Sequence, residues 1–205
     1  MAKIKFTKGE LKRQRDALRQ YERYLPTLQL KKQQLQLEIL QEAGLLAEKD
    51  QLERKKAQAV KSWIGLLAEN AVDIKPWLKP LKISTSTKNV AGTDIAIFES
   101  VEFPEIEYDL FSTPFWLDFA IENLRSLVSL REEIRIIEEG INILKRELRI
   151  VSQRVNLFEK IKIPQAREAI HRIKIYIGDQ MANAVGRSKM AKRKLEKIML
   201  KEAAV

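Results

Sequence analysis

Leu127, Leu130, Ile134, Ile137, Ile141, Leu144, Leu148, Val151, Val155 and Phe158 follow one another in alternate steps of three and four residues, and all ten are apolar. Apolar residues make up 45% of the chain, so an unbroken run of ten is a poor product of chance. Such steps average about 3.5 residues, and the stripe stays on one helix face only if the helix supercoils against a partner. A second seam runs through Leu11, Leu18, Tyr21, Leu25, Leu28, Leu35 and Ile39, with Gln14 and Lys32 as polar exceptions. A chain with such a helix at each end supplies its own partner by folding back. The pattern predicts an all-α protein: a long antiparallel two-helix coiled coil made from the N- and C-terminal helices, forming a single elongated domain over 1–205.

Thr7 and Glu10 have the spacing of a capping box, which starts the first helix. Its pattern runs from about 10 to 73. Pro26 is expected to bend it, and near Gly44 the seam reads as shifting to Leu45, Leu52 and Ala59, a local stutter. Pro76 and Pro80 disfavour helix in the residues before them and end it. Next comes a β-rich stretch, alternating at Ile83, Thr85 and Thr87 and again at Ile95, Ile97, Val101 and Phe103, with Gly92 between the two runs. It predicts one short β-hairpin over about 81–103, which needs a surface to lie against. An acidic linker over 104–114 follows, where Ser112 or Thr113 caps the next helix and Pro114 suits its first turn. That helix is expected over about 115–200. Past Pro164 its heptad positions resume at Ile170, Ile177, Ala184, Ala191 and Ile198, and the change to alanine predicts a thinner end.

The charge of +10 is unevenly placed: +7 over residues 1–32, +8 over 160–205 and −5 in the middle. Antiparallel folding therefore predicts one strongly basic tip and a mildly acidic body. Its focus is RSKMAKRKLEK over 187–197, with Arg187, Lys189, Lys192, Arg193 and Lys194 as candidate docking residues for an anionic surface, against the plainer reading of a solvated helix exterior. No aromatic residues interleave that cluster, which weakens a single-stranded nucleic-acid reading. Trp63, Trp77 and Trp116 flank the hairpin and read equally well as core or as partner anchors.

The chain contains no cysteine, which excludes disulfides and thiolate metal sites. No signal peptide is expected behind the basic N-terminus, and no stretch approaches the roughly 20 apolar residues of a membrane span. There is no phosphate-cradling G-x-x-x-x-G-K-[ST]. The one histidine, His171, and the pairs Glu132–Glu133 and Glu138–Glu139 read as solvated helix faces, because a catalytic carboxylate pair needs a desolvating pocket. No catalytic, cofactor-binding or metal site is expected.

Residues 6–36 and 154–164 resemble the D subunits of the V/A-type rotary ATPases. The likeness rests on Thr7, Lys8, Glu10 and Leu11, on Leu30, Lys31 and Lys32, and on Arg154, Val155, Asn156, Glu159, Ile163 and Pro164. Asn89 and Gly92 match the Asn-x-x-Gly of that family's central hairpin. The resemblance implies a non-catalytic central rotor shaft without a cofactor, coupling ATP hydrolysis or synthesis to ion translocation. Its implied partners are the ring of A and B subunits around the end holding both termini, the F subunit at the side and a funnel-shaped subunit at the foot. It implies a cytoplasmic protein, peripheral to the membrane through the complex and without direct insertion. The seam that carries torque would include Leu18, Leu25, Leu28, Leu35, Ile137, Ile141, Leu144, Leu148, Val151 and Val155. A nucleic-acid-binding or scaffolding coiled coil is the competing expectation; it explains the basic tip but not a single central hairpin.

Overall fold

The structure, a computed structural model, describes residues 5–63, 65, 74–106 and 114–202, the last three of these by backbone alone. In chain order the elements are α1 (Lys8–Lys61), α2 (Lys75–Leu78), β1 (Lys82–Val90), β2 (Thr93–Glu102), α3 (Leu117–Leu157), a π-helical turn (Phe158–Lys162) and α4 (Ile163–Glu202). Among the described residues, two long helical runs, a single short turn of helix and one antiparallel hairpin make up the fold. Two compact units share them: Leu30–Ser152, and Met1–Gln29 with Gln153–Val205.

In the first of these units α1 and α3 run antiparallel, so partner numbers fall along one helix as they rise along the other. Lys31 pairs with Glu147 at 2.8 Å, Lys49 with Glu133 at 2.7 Å and Glu53 with Arg131 at 2.7 Å. Leu35 and Leu144 are wholly buried, with Leu127, Leu130, Ile134, Ile141 and Val151 close behind. Ile137 and Leu148 are half-buried. The expected stutter at Gly44 is absent. The inward positions of α1 continue in steps of three and four through Leu35, Ile39, Glu42, Leu46, Lys49, Glu53, Lys56 and Val60, all buried or half-buried. Leu45 and Leu52, one position away, are exposed, as is Ala59. Long charged side chains hold the seam here because their stems pack while their heads reach a partner at the rim. Lys56, for example, donates to the Ser126 hydroxyl.

The other unit packs the first part of α1 against α4. Leu18, Leu25 and Leu28 are half-buried on α1, Tyr21 stacks on Phe158 with centroids 5.4 Å apart, and Phe6 meets Tyr176 at 5.1 Å. Val155, Ile163, Ala166, Ala169, Ile170 and Ile173 are buried. From Phe158 to Ile163 the seam steps five residues, one too many for an α-helix. The π turn absorbs it: Ile163 N–H donates to the Phe158 carbonyl, and the apolar face returns in register. Pro164 sits just beyond, where an uninterrupted α-helix would set its ring against a carbonyl one turn back.

The helix starts and ends refine the expected boundaries. Thr7 Oγ1 accepts from Glu10 N–H at 3.2 Å, but the Glu10 carboxylate takes Gln14 instead of returning the bond, so the box is one-sided. Pro26 lies inside an α1 that continues through it. α1 closes at Lys61, where the Ser62 hydroxyl donates to the Ala59 carbonyl; the expected extension over 66–73 falls outside the described residues. Ser112 and Thr113 also lie outside them. Pro114 precedes α3 instead of entering its first turn, its carbonyl accepting from Leu117 N–H at 3.1 Å.

Val90 pairs with Thr93 across a two-residue turn, in which Ala91 and Gly92 both have positive φ, the geometry that suits the right-handed twist of a hairpin. Between Ser84 and Thr85 the register slips past Glu99, a β-bulge. Val90 and Ile95 are buried on the helices, and the period of two then turns Lys88, Ser86 and Ser84 inward. Ile83, Thr85 and Thr87 therefore lie on the outer face, and Ile97, paired with inward Ser86, is nevertheless exposed. The buried anchors at the tip decide the parity.

Candidate functional site

α4 carries the same kind of sequence along its length but is covered only in part. Phe6 reaches Tyr176, and α1 begins at Lys8; beyond Ile177 every residue of α4 whose side chain is described is exposed. The heptad pattern expects Ala184, Ala191 and Ile198 to continue the seam. They stand in solvent, because α4 has outrun the start of its antiparallel partner. Met190 is 64% exposed and Leu195 58%, against 0% for Ile173 on the same helix. Single apolar side chains on a surface need no explanation; Ala184, Ala191, Leu195 and Ile198 share one side of α4, whereas Met190 lies on another.

The basic candidates share this stretch. Arg187, Lys189, Lys192, Arg193 and Lys194 are all exposed on α4. Lys192 approaches Glu196 at 3.9 Å, an i,i+4 surface pair of small energetic weight. The far end of α4 thus carries exposed apolar residues among exposed basic ones.

The hairpin residues have defined local tasks. The Asn89 side-chain oxygen accepts from Gly92 N–H at 3.0 Å, and its amide donates to the Asp94 carboxylate, so both expected residues fix the turn. Next to them Lys88, unremarked in the sequence, donates to Glu38 and stands 3.8 Å from Glu42, both on α1. The Glu38 hydrogen bond raises the Lys88 pKa above the usual lysine value, with burial opposing and both carboxylates adding attraction. A raised lysine pKa gives stability that is complete below the unfolded value and is lost as pH rises through the folded one, in the alkaline range above 10.5. The signal available in the sequence is Lys88 at the hairpin tip with two glutamates a helical turn apart elsewhere.

At the hairpin's other end Arg125 of α3 donates to the Trp77 carbonyl at 3.1 Å and the Pro104 carbonyl at 2.6 Å, with its guanidinium 5.2 Å from the Phe103 ring centroid. Trp63, Trp77 and Trp116 are all half-buried, and Trp63 meets Phe119 edge-on at 6.0 Å. His171, Glu138 and Glu139 are exposed, whereas Glu133 is drawn into the ion pair with Lys49. Among the described residues no group of His, Asp and Glu is placed to hold a metal ion, and no helix is long and apolar enough to cross a membrane.

Among the described residues, two long helical runs and one hairpin define a predominantly helical protein. The family of ATP synthase D subunits matches residues 10–193. The chain is 44% identical to the V-type ATP synthase D subunit of Borreliella burgdorferi over 96% of its own length and 97% of that protein's. It is 31% identical to the V-type ATP synthase D subunit of Chlamydia pneumoniae, covering 94% and 93%, and 32% identical to that of Chlamydia caviae, covering 95% of each. The chain belongs to the family of ATP synthase D subunits.

Proposed function

We propose that this chain is the non-catalytic central shaft of a V-type ATP synthase, turning within a ring of A and B subunits and linking nucleotide turnover there to ion translocation. The observation that carries the reading is similarity over nearly the whole length to proteins named as V-type ATP synthase D subunits. The geometry adds a helix end that has outrun its own partner and presents apolar side chains among five basic ones, as a shaft end entering a ring requires. The F subunit at the side and a funnel-shaped subunit at the foot complete the proposed contacts, and the chain sits on the cytoplasmic face, peripheral to the membrane through the complex.

The mechanism follows from unequal contact. An asymmetric helix pair inside a ring of repeated subunits meets each interface with a different face, so each interface is biased to a different conformation. Shaft angle and nucleotide state are then reciprocally coupled. Positive charge without fixed ion pairs suits a surface that must slide past successive partners.

Reconstitution tests this. The full chain is mixed with purified A, B and F subunits and with the funnel-shaped subunit and membrane ring in sealed vesicles, and the assembly is assayed for ATP hydrolysis and coupled ion transport. A stable complex whose ion transport depends on this chain is expected. Removal of 187–205 should leave binding of the F subunit intact and uncouple hydrolysis from transport. Failure to enter the ring, or full coupling without residues 187–205, would sink the reading.

A further inference from the structure

The hairpin is attached to the two helices of its unit by different kinds of contact. Its hold on α3 combines an apolar contact at one end with hydrogen bonds from a half-buried arginine at the other. Ile95 is 3% exposed, and its Cβ lies 3.8 Å from where a Cβ on Gly140 would stand, an ordinary packing distance over a flat stretch of helix. Arg125 adds two hydrogen bonds to the carbonyls of the segments leading into and out of the hairpin and stacks on Phe103. Toward α1 the tip reaches across with Lys88, which meets Glu38 and Glu42 one helical turn apart. Val90, 8% exposed, lines a cleft with Gln34 and Leu37 of α1 and adds a small apolar patch there, whereas Ser86 and Ser84 below it bring no apolar area to the contact.

We infer that the hairpin is a strap owned by α3 and clipped to α1 by Lys88, so that one charged side chain closes a bridge between the two helices at Glu38 and Glu42. The clip has the chemistry of a reversible fastening. A lysine partly open to solvent between two carboxylates attracts strongly at low ionic strength and weakens as salt screens it. The apolar hold on α3 has no such dependence. When the clip opens, only the small apolar patch at Val90 still holds the tip to α1, so the tip loosens while the base stays pinned by Arg125. Opening also leaves Glu38 and Glu42 facing each other unneutralised, which favours reclosure. The bridge thus resists sliding of α1 along α3 at one level and yields there first.

Hydrogen exchange of the full chain, read by mass spectrometry over residues 86–97, tests the strap without any other protein present. Between about 0.03 and 0.5 M salt the tip amides should exchange about threefold to tenfold faster, while amides of α3 over 130–145 stay constant. Lys88→Met should exchange at the fast rate at both salts. Lys88→Glu should be faster still, and Glu38→Lys added to it should restore much of the protection. Ile95→Ala should loosen the hairpin at every salt, since it acts on the other attachment. Unchanged exchange in Lys88→Met, failure of the charge swap to slow Lys88→Glu, or loosening that spreads along α1 and α3 would each overturn the clip.

Discussion

Ile163–Ile173 and Met181–Met199 lie on one helix, and both carry several apolar residues, yet the first stretch is core and the second is surface. Ile163, Ala166, Ala169, Ile170 and Ile173 are buried against α1; Met181, Val185, Met190, Leu195, Ile198 and Met199 are at least half exposed. No propensity distinguishes them, since α4 is helical through both. The difference is where α1 begins. A seam states that a helix has a partner, and says nothing about whether the partner belongs to the same chain.

The sharpest way to break this comparison is to place a charge in each stretch. Ile173→Asp should lower stability by about 3–5 kcal/mol, because it removes a fully buried side chain and leaves a carboxylate in its place. Thermal melts followed by circular dichroism measure it, and an unshifted midpoint would mean that Ile173 is not core.

Reversing Arg187, Lys189, Lys192, Arg193 and Lys194 to Glu acts on the exposed stretch alone. Association of the chain with a reconstituted ring should slow by about tenfold or more at low salt and converge toward the unmodified rate as salt rises. Stopped-flow association at two ionic strengths reads this, and equal rates at both would assign seating to shape alone.

The π turn offers a third test inside the packed stretch. Deleting Lys160, combined with Pro164→Ala, should turn the five-residue step into an ordinary four-residue one and change stability by no more than about 1 kcal/mol. Deleting Arg149, between Leu148 and Val151, shifts the seam with no turn to absorb it and should be far more damaging. Chemical denaturation of both deletions ranks them, and the opposite order would mean that the π turn does not set the register.

The smallest expected effect is Leu195→Asp. In the isolated chain it should move stability by no more than about 0.5 kcal/mol, as for other exposed positions. A loss comparable to that of Ile173→Asp would show that the far end of α4 is covered in solution.

Much of the fold is legible because heptad spacing is a geometric statement about one helix. Leu35, Leu144 and Val151 take their places at the seam from their spacing, and the hairpin follows from β-branched runs around Gly92. The expected stutter at Gly44 fails for an identifiable reason. Glu42, Lys49, Glu53 and Lys56 keep the register, but a search for apolar residues passes over them and settles on Leu45 and Leu52. In the hairpin, alternation gives two faces and does not say which meets the helices: Ile95 turns inward, while Ile83, Thr85 and Thr87 turn out. The five-residue step at Phe158–Ile163 is visible beside Pro164, although only the Ile163–Phe158 hydrogen bond shows how the backbone takes it up.

The sequence by itself determined the helical class, the place of the hairpin, the basic character of both ends and the family, since each depends on local periodicity or on residues in a fixed order. Tertiary structure alone decided which glutamates Lys88 would meet, which face of the hairpin Ile95 would carry inward and where α4 would run out of a partner. Those depend on the relative placement of segments far apart in the chain. Periodicity fixes the angle of a side chain around its own helix axis, but it carries no information about how far the opposite helix extends.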